Sequence, residues 1–210
     1  AVLRYESDPN ACTEGPCELG IDVARYGDDE TCFAVRKGGR VVVLEPHRGW
    51  STTQTAGRAI QLAREYSCST IRVDDTGVGG GVTDNLTSAQ GLGEFTDNCA
   101  VLPMNFGGEG DDDYHNAVAV WYGVMKDLLK SGEMALPPDD DLVGQLSTRK
   151  YELTSKGRLA IERKEDMKKR GLPSPDRAEA VALAFAAGVV VADYKGIRTS
   201  GRRESLQGWS

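Results

Sequence analysis

The sequence predicts an α/β domain: a mixed central sheet flanked by helices, with an additional β-hairpin towards its C-terminal end. Three observations carry this reading. Apolar runs at 31–36 and 40–45 lie either side of Lys37, Gly38 and Gly39, a hairpin turn signal. A helical period then leads to a further apolar run at 70–73, and a strand reached through a helix is most simply parallel to a neighbour. The resulting order, β-β-β-α-β-α-β-α, begins antiparallel and continues parallel.

Residues 1–16 hold Pro9, Asn10, Gly15 and Pro16 with little apolar material, and read as a linker or flexible arm. The first strand, 19–24, carries one acid, Asp22, within an apolar run. Ser51 is the expected N-cap of the next helix, with Gln54 completing a capping box and Tyr66 near the end. The strand at 70–73 ends at Asp74, where DDTGVGGGVTDNL supplies a glycine-rich turn into a short helix. A fifth strand is expected at 100–104, then a loop at 106–113. A long helix at 114–130 follows, closed by Gly132. Pro137 and Pro138 precede a short helix at 140–147. Residues 151–153 and 159–162 alternate around Gly157 as a hairpin, and a basic loop follows. Ser174 reads as the N-cap of the last helix, with Pro175 in its first position and its end near Val191. The expected domain is 17–192, followed by a flexible basic tail at 193–210.

The 210 residues suffice for one domain with a substantial core. With 40% hydrophobic and 27% charged residues, the composition is that of an ordinary globular protein. No apolar run approaches the roughly 20 residues of a membrane span. No signal-peptide pattern opens the chain, so the expectation is cytoplasmic, and the absent initiator Met suggests a fragment. Five scattered cysteines include one C-x4-C pair, Cys12 and Cys17, with no second pair to complete a zinc site. The net charge of −7 hides a basic segment: residues 147–177 hold ten Lys or Arg against five acids. Such a stripe suits a local anionic partner, or is simply a solvated hairpin and loop.

The chemistry lies with the acids. An unpaired carboxylate in a buried strand gives up its hydration, so Asp22 needs a cation, a donor or a metal. Asp22 and Asp74 converge if their strands are neighbours, and Asp176, in the first turn of the last helix, completes a cluster if that helix crosses the same edge. A hard divalent cation, Mg²⁺ or Mn²⁺, resolves the repulsion of three such acids. Two ions about 4 Å apart can activate water and stabilise the leaving oxygen of a phosphodiester. Several acids also have a plainer reading, Asp22 being the hardest to explain so: Asp176 favours a helix N-terminus by itself, and Asp28, Asp29, Asp74 and Asp75 suit turns. DDTGVGGG lacks the Lys–Ser/Thr ending of a phosphate loop, and the chain has no P-loop ATPase motif.

Four stretches, GIDVARYGDDET, VDDTGVGGGVTDNL, LVGQLSTRKYELTSKGRLAIERKEDMKKRG and SPDRAEAVALAFA, resemble in order the nuclease domain of the large terminase subunit of tailed bacteriophages. The resemblance covers about residues 19–190. It implies a ribonuclease H-like fold and a metal-dependent endonuclease that cuts concatemeric double-stranded viral DNA. It also implies Mg²⁺ or Mn²⁺, two ions during catalysis, in the cytoplasm of an infected bacterium. An N-terminal ATPase domain in the full-length subunit, the portal and the small terminase subunit are the implied partners, and the isolated domain is expected to be a monomer. Asp22, Asp74 and Asp176 match the family's metal-binding acids, and Asp28 matches an auxiliary metal position. Asp75 rivals Asp74. Glu179 stands where the family commonly has Asp, and its role is open. Lys164, Lys168, Lys169 and Arg170 fit a basic loop holding the DNA backbone.

Two other readings share this topology. An actin-like or sugar-kinase ATPase places an early Asp near glycines, but needs two such domains. A non-catalytic DNA-binding module would keep the fold without cutting. Resolvases and integrases share both the fold and the acidic triad.

Overall fold

Strand parity sets the architecture. The computed structural model describes residues 1–24, 29–95 and 98–186. Its main sheet is ordered β3-β2-β1-β4-β5, with β1 at Cys17–Asp22, β2 at Thr31–Lys37, β3 at Arg40–His47, β4 at Thr70–Asp74 and β5 at Ala100–Met104. β1 pairs β2 antiparallel, β2 pairs β3 antiparallel, and β1, β4 and β5 are mutually parallel, as the order of elements predicts.

Side chains alternate between the two faces of a strand. Leu19, Ile21, Phe33, Val35, Ile71 and Val73 therefore share one face, buried beneath α2 (Thr52–Glu65) and α3 (Gly79–Gly91). The opposite face carries Cys32, Ala34 and Met104 and packs on α4 (Ala117–Ser131), α5 (Asp140–Thr148) and α7 (Asp176–Ala184). The second parity set of β1 is Glu18, Gly20 and Asp22, so a charged residue lies at each end of the strand on the α7 face.

Helix α7 lies directly on β1 because both surfaces are small. Ala178, Ala180, Ala182 and Ala184 are all fully buried, and a Cβ built on Gly20 would stand 2.2 Å from the Ala180 carbonyl oxygen. The helix runs antiparallel to the strand. Its N-terminus reaches Asp22, and its C-terminal Ala184 carbonyl accepts from Arg36 Nε at 2.5 Å. Arg36 and Arg72 both bond Glu18, at 2.5 and 2.6 Å, so each end of the α7–sheet contact is charged. The positive and negative poles of the helix dipole match acids at one end and arginines at the other.

Local signals mostly hold. Ser51 and Gln54 form the expected capping box, and Gly132 closes α4 at φ +82°. Helix α4 starts later than expected, capped by Asn116. Gly79, within the glycine-rich turn, allows a close approach: a Cβ there would lie 1.5 Å from the Asp74 carbonyl oxygen. The hairpin forms as β6 (Tyr151–Leu153) and β7 (Leu159–Ile161).

Four expectations need correcting. Residues 1–16, read as a linker or arm, contain α1 (Val2–Ser7) and are tied to the domain. Arg40 donates to the Tyr5 and Asp8 carbonyls while stacking on the Tyr5 ring, and Arg4 reaches the Met134 carbonyl. The basic loop contains a short helix, α6 (Lys164–Lys169), anchored by buried Met167. One apolar residue leaves no periodicity to read, although acids in the first turn and lysines in the last suit the dipole. Ser174 does not cap α7; its hydroxyl donates to the Asp176 carboxylate, and Pro175 takes the cap position. That helix ends at Ala184, with Phe185 as its C-cap, rather than running on towards Val191; the basic tail lies outside the described residues.

The α7–β1 contact yields a direct test. Gly20→Ala places a methyl against helix backbone, and overpacking of this kind costs about 1–3 kcal/mol. The expected result is a lower urea midpoint; an unchanged midpoint would show that α7 does not rest on Gly20.

Candidate metal centre

Ile21 pairs Val73 in the parallel register, so Asp22 and Asp74 are the next residues along adjacent strands. Both project onto the α7 face and are buried, 2% and 6% exposed. Helix α7 crosses these strand ends and adds Asp176 and Glu179, 3% and 2% exposed. Their i,i+3 spacing puts both on one side of the helix.

The ammonium of Lys164, at the start of α6, lies among these acids. Its Nζ stands 2.5 Å from Glu179 Oε2, 3.1 Å from Asp22 Oδ2 and 3.6 Å from Asp176 Oδ1. Asp74 faces its own turn, accepting from the Thr76 backbone N–H at 2.9 Å. The Glu30 backbone N–H holds Asp176 Oδ2 at 2.8 Å, while the Ser174 hydroxyl holds Oδ1. Arg149 Nη1 donates to Glu179 Oε1 at 2.8 Å.

Burial is the largest influence on these groups. It pushes the Asp22 carboxyl well above its ordinary 3.8 although Lys164 opposes it, and Glu179, Asp176 and Asp74 add to the rise. Asp74 is raised by burial too, moderated by its bonds to Thr76. Burial also acts against the charge of Lys164, but Asp22, Glu179 and Asp176 overcome it and hold the ammonium above the usual lysine range.

Four carboxylates thus face two cations, Lys164 and Arg149, and negative charge is left in excess. Glu179 Oε2 is buried without a well-directed hydrogen bond. Oxygen donors, surplus negative charge and an ammonium standing in for a cation all suit a hard divalent ion. Among the described residues, no three acid, thiol or imidazole side chains are spaced to grip an ion as they stand. The Lys164 ammonium lies between them.

The fold therefore gathers Asp22, Asp74 and Asp176, and adds Glu179, whose position three residues after Asp176 was the available signal. Asp75 turns away: its Oδ1 accepts from the Thr83 hydroxyl at 2.9 Å, serving the start of α3. Asp28 lies outside the described residues. Of the four basic residues expected at the DNA backbone, Lys164 instead faces the acids. Lys168, on the same side of α6 as Lys164, Lys169 and the C-cap Arg170 are paired with Asp29, Asp166 and Glu162 at 2.8, 2.7 and 2.6 Å. Arg149 escaped the sequence reading, since nothing local marks it off from the neighbouring exposed Lys150.

The raised Asp22 pKa has a stability consequence. A carboxyl whose folded pKa exceeds the unfolded value stabilises fully below the unfolded value, and that contribution is lost as pH rises through the folded one. At neutral pH, metal-free wild type bears this cost and Asp22→Asn does not. Thermal scans without metal should place the variant at or above wild type at pH 7, with the difference shrinking towards pH 4. A variant less stable at pH 7 would show that Asp22 is instead a stabilising ion-pair partner.

No protein-family model matches this sequence, and no curated protein matches it significantly. Solved structures do. The nuclease domain of the large terminase subunit of bacterial virus Sf6 is 19% identical, with a TM-score of 0.73 over 82% of this chain and 89% of that one. The large terminase nuclease of thermophilic phage G20c is 20% identical, with a TM-score of 0.61 over 83% of each chain. The large terminase nuclease domain of Thermus phage P74-26 is 18% identical, with a TM-score of 0.57 over 81% of this chain and 78% of that one. The Sf6 domain has been solved with manganese and with calcium, and the G20c nuclease with bound cobalt and with bound magnesium. The mixed sheet, its flanking helices and these likenesses define the fold of the chain as the ribonuclease H-like fold of large terminase nuclease domains.

Proposed function

We propose that this chain is a divalent-metal-dependent DNA endonuclease, the nuclease domain of a viral large terminase subunit. The observation that carries the reading is the group of four buried carboxylates at the ends of β1, β4 and the start of α7, already gathered around a positive charge. Structural likeness to terminase nucleases, some solved with divalent metals, supports it.

Asp22, Asp74 and Asp176, with Glu179, are the residues that would hold Mg²⁺ or Mn²⁺. Such ions, two in this reading, would supply an activated water and stabilisation of the leaving oxygen in phosphodiester hydrolysis. The chain's own residues prepare the site. Glu30 and Ser174 fix the Asp176 carboxylate, and Thr76 fixes Asp74. Lys164 compensates the acids, pairing with Asp22, Asp176 and Glu179. Lys168 and Lys169, at the end of α6, and its C-cap Arg170 would exchange their carboxylate partners for phosphates. Those contacts are independent of sequence and weaken with salt.

The substrate in this reading is concatemeric double-stranded DNA in the cytoplasm of an infected bacterium. An N-terminal ATPase domain, a portal and a small terminase subunit complete the packaging machinery, and the isolated domain is monomeric. Among the described residues, no helix is long and apolar enough to cross a membrane.

A supercoiled-plasmid assay with Mn²⁺ titration tests the reading. Wild type should nick and linearise the plasmid, and Asp22→Asn, Asp74→Asn and Asp176→Asn should each lose about 100-fold or more, as a misplaced reacting group does. Nucleotide hydrolysis without DNA cleavage would point to the kinase-like ATPases. A gel shift without cleavage would leave only a DNA-binding module.

A further inference from the structure

Arg149 is the least expected charge in the molecule. It follows α5 directly and begins the β6–β7 hairpin, yet its side chain is only 4% exposed. A buried guanidinium is costly unless its donors are met. Here Nη1 and Nε are met by three different elements. Nη1 donates to the Tyr122 hydroxyl of α4 and to Glu179 Oε1 of α7, both at 2.8 Å, and Nε donates to the Glu162 carbonyl beyond β7 at 3.0 Å. The guanidinium also lies over the Tyr122 ring, 4.8 Å from its centroid.

The consequence falls on Glu179. With Oε1 committed to Arg149, its other oxygen is left facing the cluster, where it meets Lys164 Nζ at 2.5 Å without a well-directed hydrogen bond. A glutamate has one more rotatable bond than an aspartate, so a carboxylate at this position needs an external hold to present one defined oxygen. The rigid fork of an arginine supplies that hold in a way a lysine, with a single ammonium, does not.

We propose that Arg149 is a positioning residue for the metal centre: it clamps one oxygen of Glu179 so that the other is offered to the bound cation. The inference rests on the metal-dependent reading above. It also makes the hairpin part of the site's support, because the Glu162 carbonyl that takes Nε belongs to the hairpin's far end. Glu162 is itself locked there, its N–H donating to the Lys150 carbonyl at 2.9 Å and its carboxylate accepting from Arg170.

The test is an Mn²⁺ titration of the full chain without DNA, followed by loss of the free-ion paramagnetic resonance signal, alongside plasmid cleavage. Arg149→Lys keeps the charge but not the fork. It should weaken Mn²⁺ binding roughly tenfold and raise the Mn²⁺ midpoint for cleavage in parallel, the scale seen when a ligand's supporting partner is lost. In a Glu179→Gln background the same substitution should have no further effect, since Arg149 acts through that carboxylate. Tyr122→Phe, which removes one acceptor of Nη1 and changes little else, should weaken binding in the same direction by a smaller factor. It decides the matter if Arg149→Lys fails to fold. Unchanged Mn²⁺ binding in these variants, or equal losses with and without Glu179, would overturn the positioning role alone. If wild type neither binds Mn²⁺ nor cuts DNA, the endonuclease reading falls and the inference falls with it.

Discussion

The structure depends on one close approach, that of α7 to β1 at Gly20. The strand has room for a helix backbone only where it has no side chain, and the helix is rich in alanine where it faces the strand. From this contact the positions of the acids follow. Asp22 is two residues beyond Gly20 and so shares its face, while Asp176 and Glu179 occupy the helical turn that overhangs the same strand end. β4, hydrogen-bonded in parallel beside β1, brings Asp74 level with them. A larger residue at position 20 would lift the helix, and two of the four carboxylates with it.

The same contact explains why charge is tolerated at both ends of the interface. At the far end Glu18 is shared between Arg36 and Arg72, and the carbonyl that ends α7 accepts from Arg36. There two arginines converge on one carboxylate oxygen and on the helix's last carbonyl. The near end differs: four carboxylates share Lys164 and Arg149, and burial drives Asp22 and Asp74 towards their protonated forms. A fold optimised for stability would not collect acids in this way. In the function proposed above, a divalent cation would answer that surplus.

Lys164 and Arg149 divide the work of holding the acids. Lys164 comes from a six-residue helix with one buried anchor, Met167, and its side chain is 29% exposed. Arg149 is enclosed by three elements and cannot leave without disturbing α4, α7 and the hairpin together.

Much of this was legible in the chain. The hairpin turn at Gly38, the capping box at Ser51, the strand ending at Asp74 and the glycine closing α4 are local events, decided by residues within a few positions of one another. Strand periodicity likewise marked Asp22 as an acid that had to be answered. The α6 helix leaves no trace in the sequence because a single apolar residue gives no period, and residues 1–16 read as an arm because their partners, Arg40 and the Met134 carbonyl, are distant in sequence. Composition suggested that Lys164 belonged with its basic neighbours, yet a lysine's partner is set by what its flexible stem can reach. By itself the sequence determined the order of elements and the acids that needed a cation, because both follow from short-range stereochemistry and the cost of burying charge. Only the tertiary structure decided that Glu179 joins those acids, that Asp75 does not, and that Lys164 and Arg149 compensate them. Which side chains meet across 30 to 140 residues depends on where α7, α6 and the hairpin pack, and no local pattern carries that information.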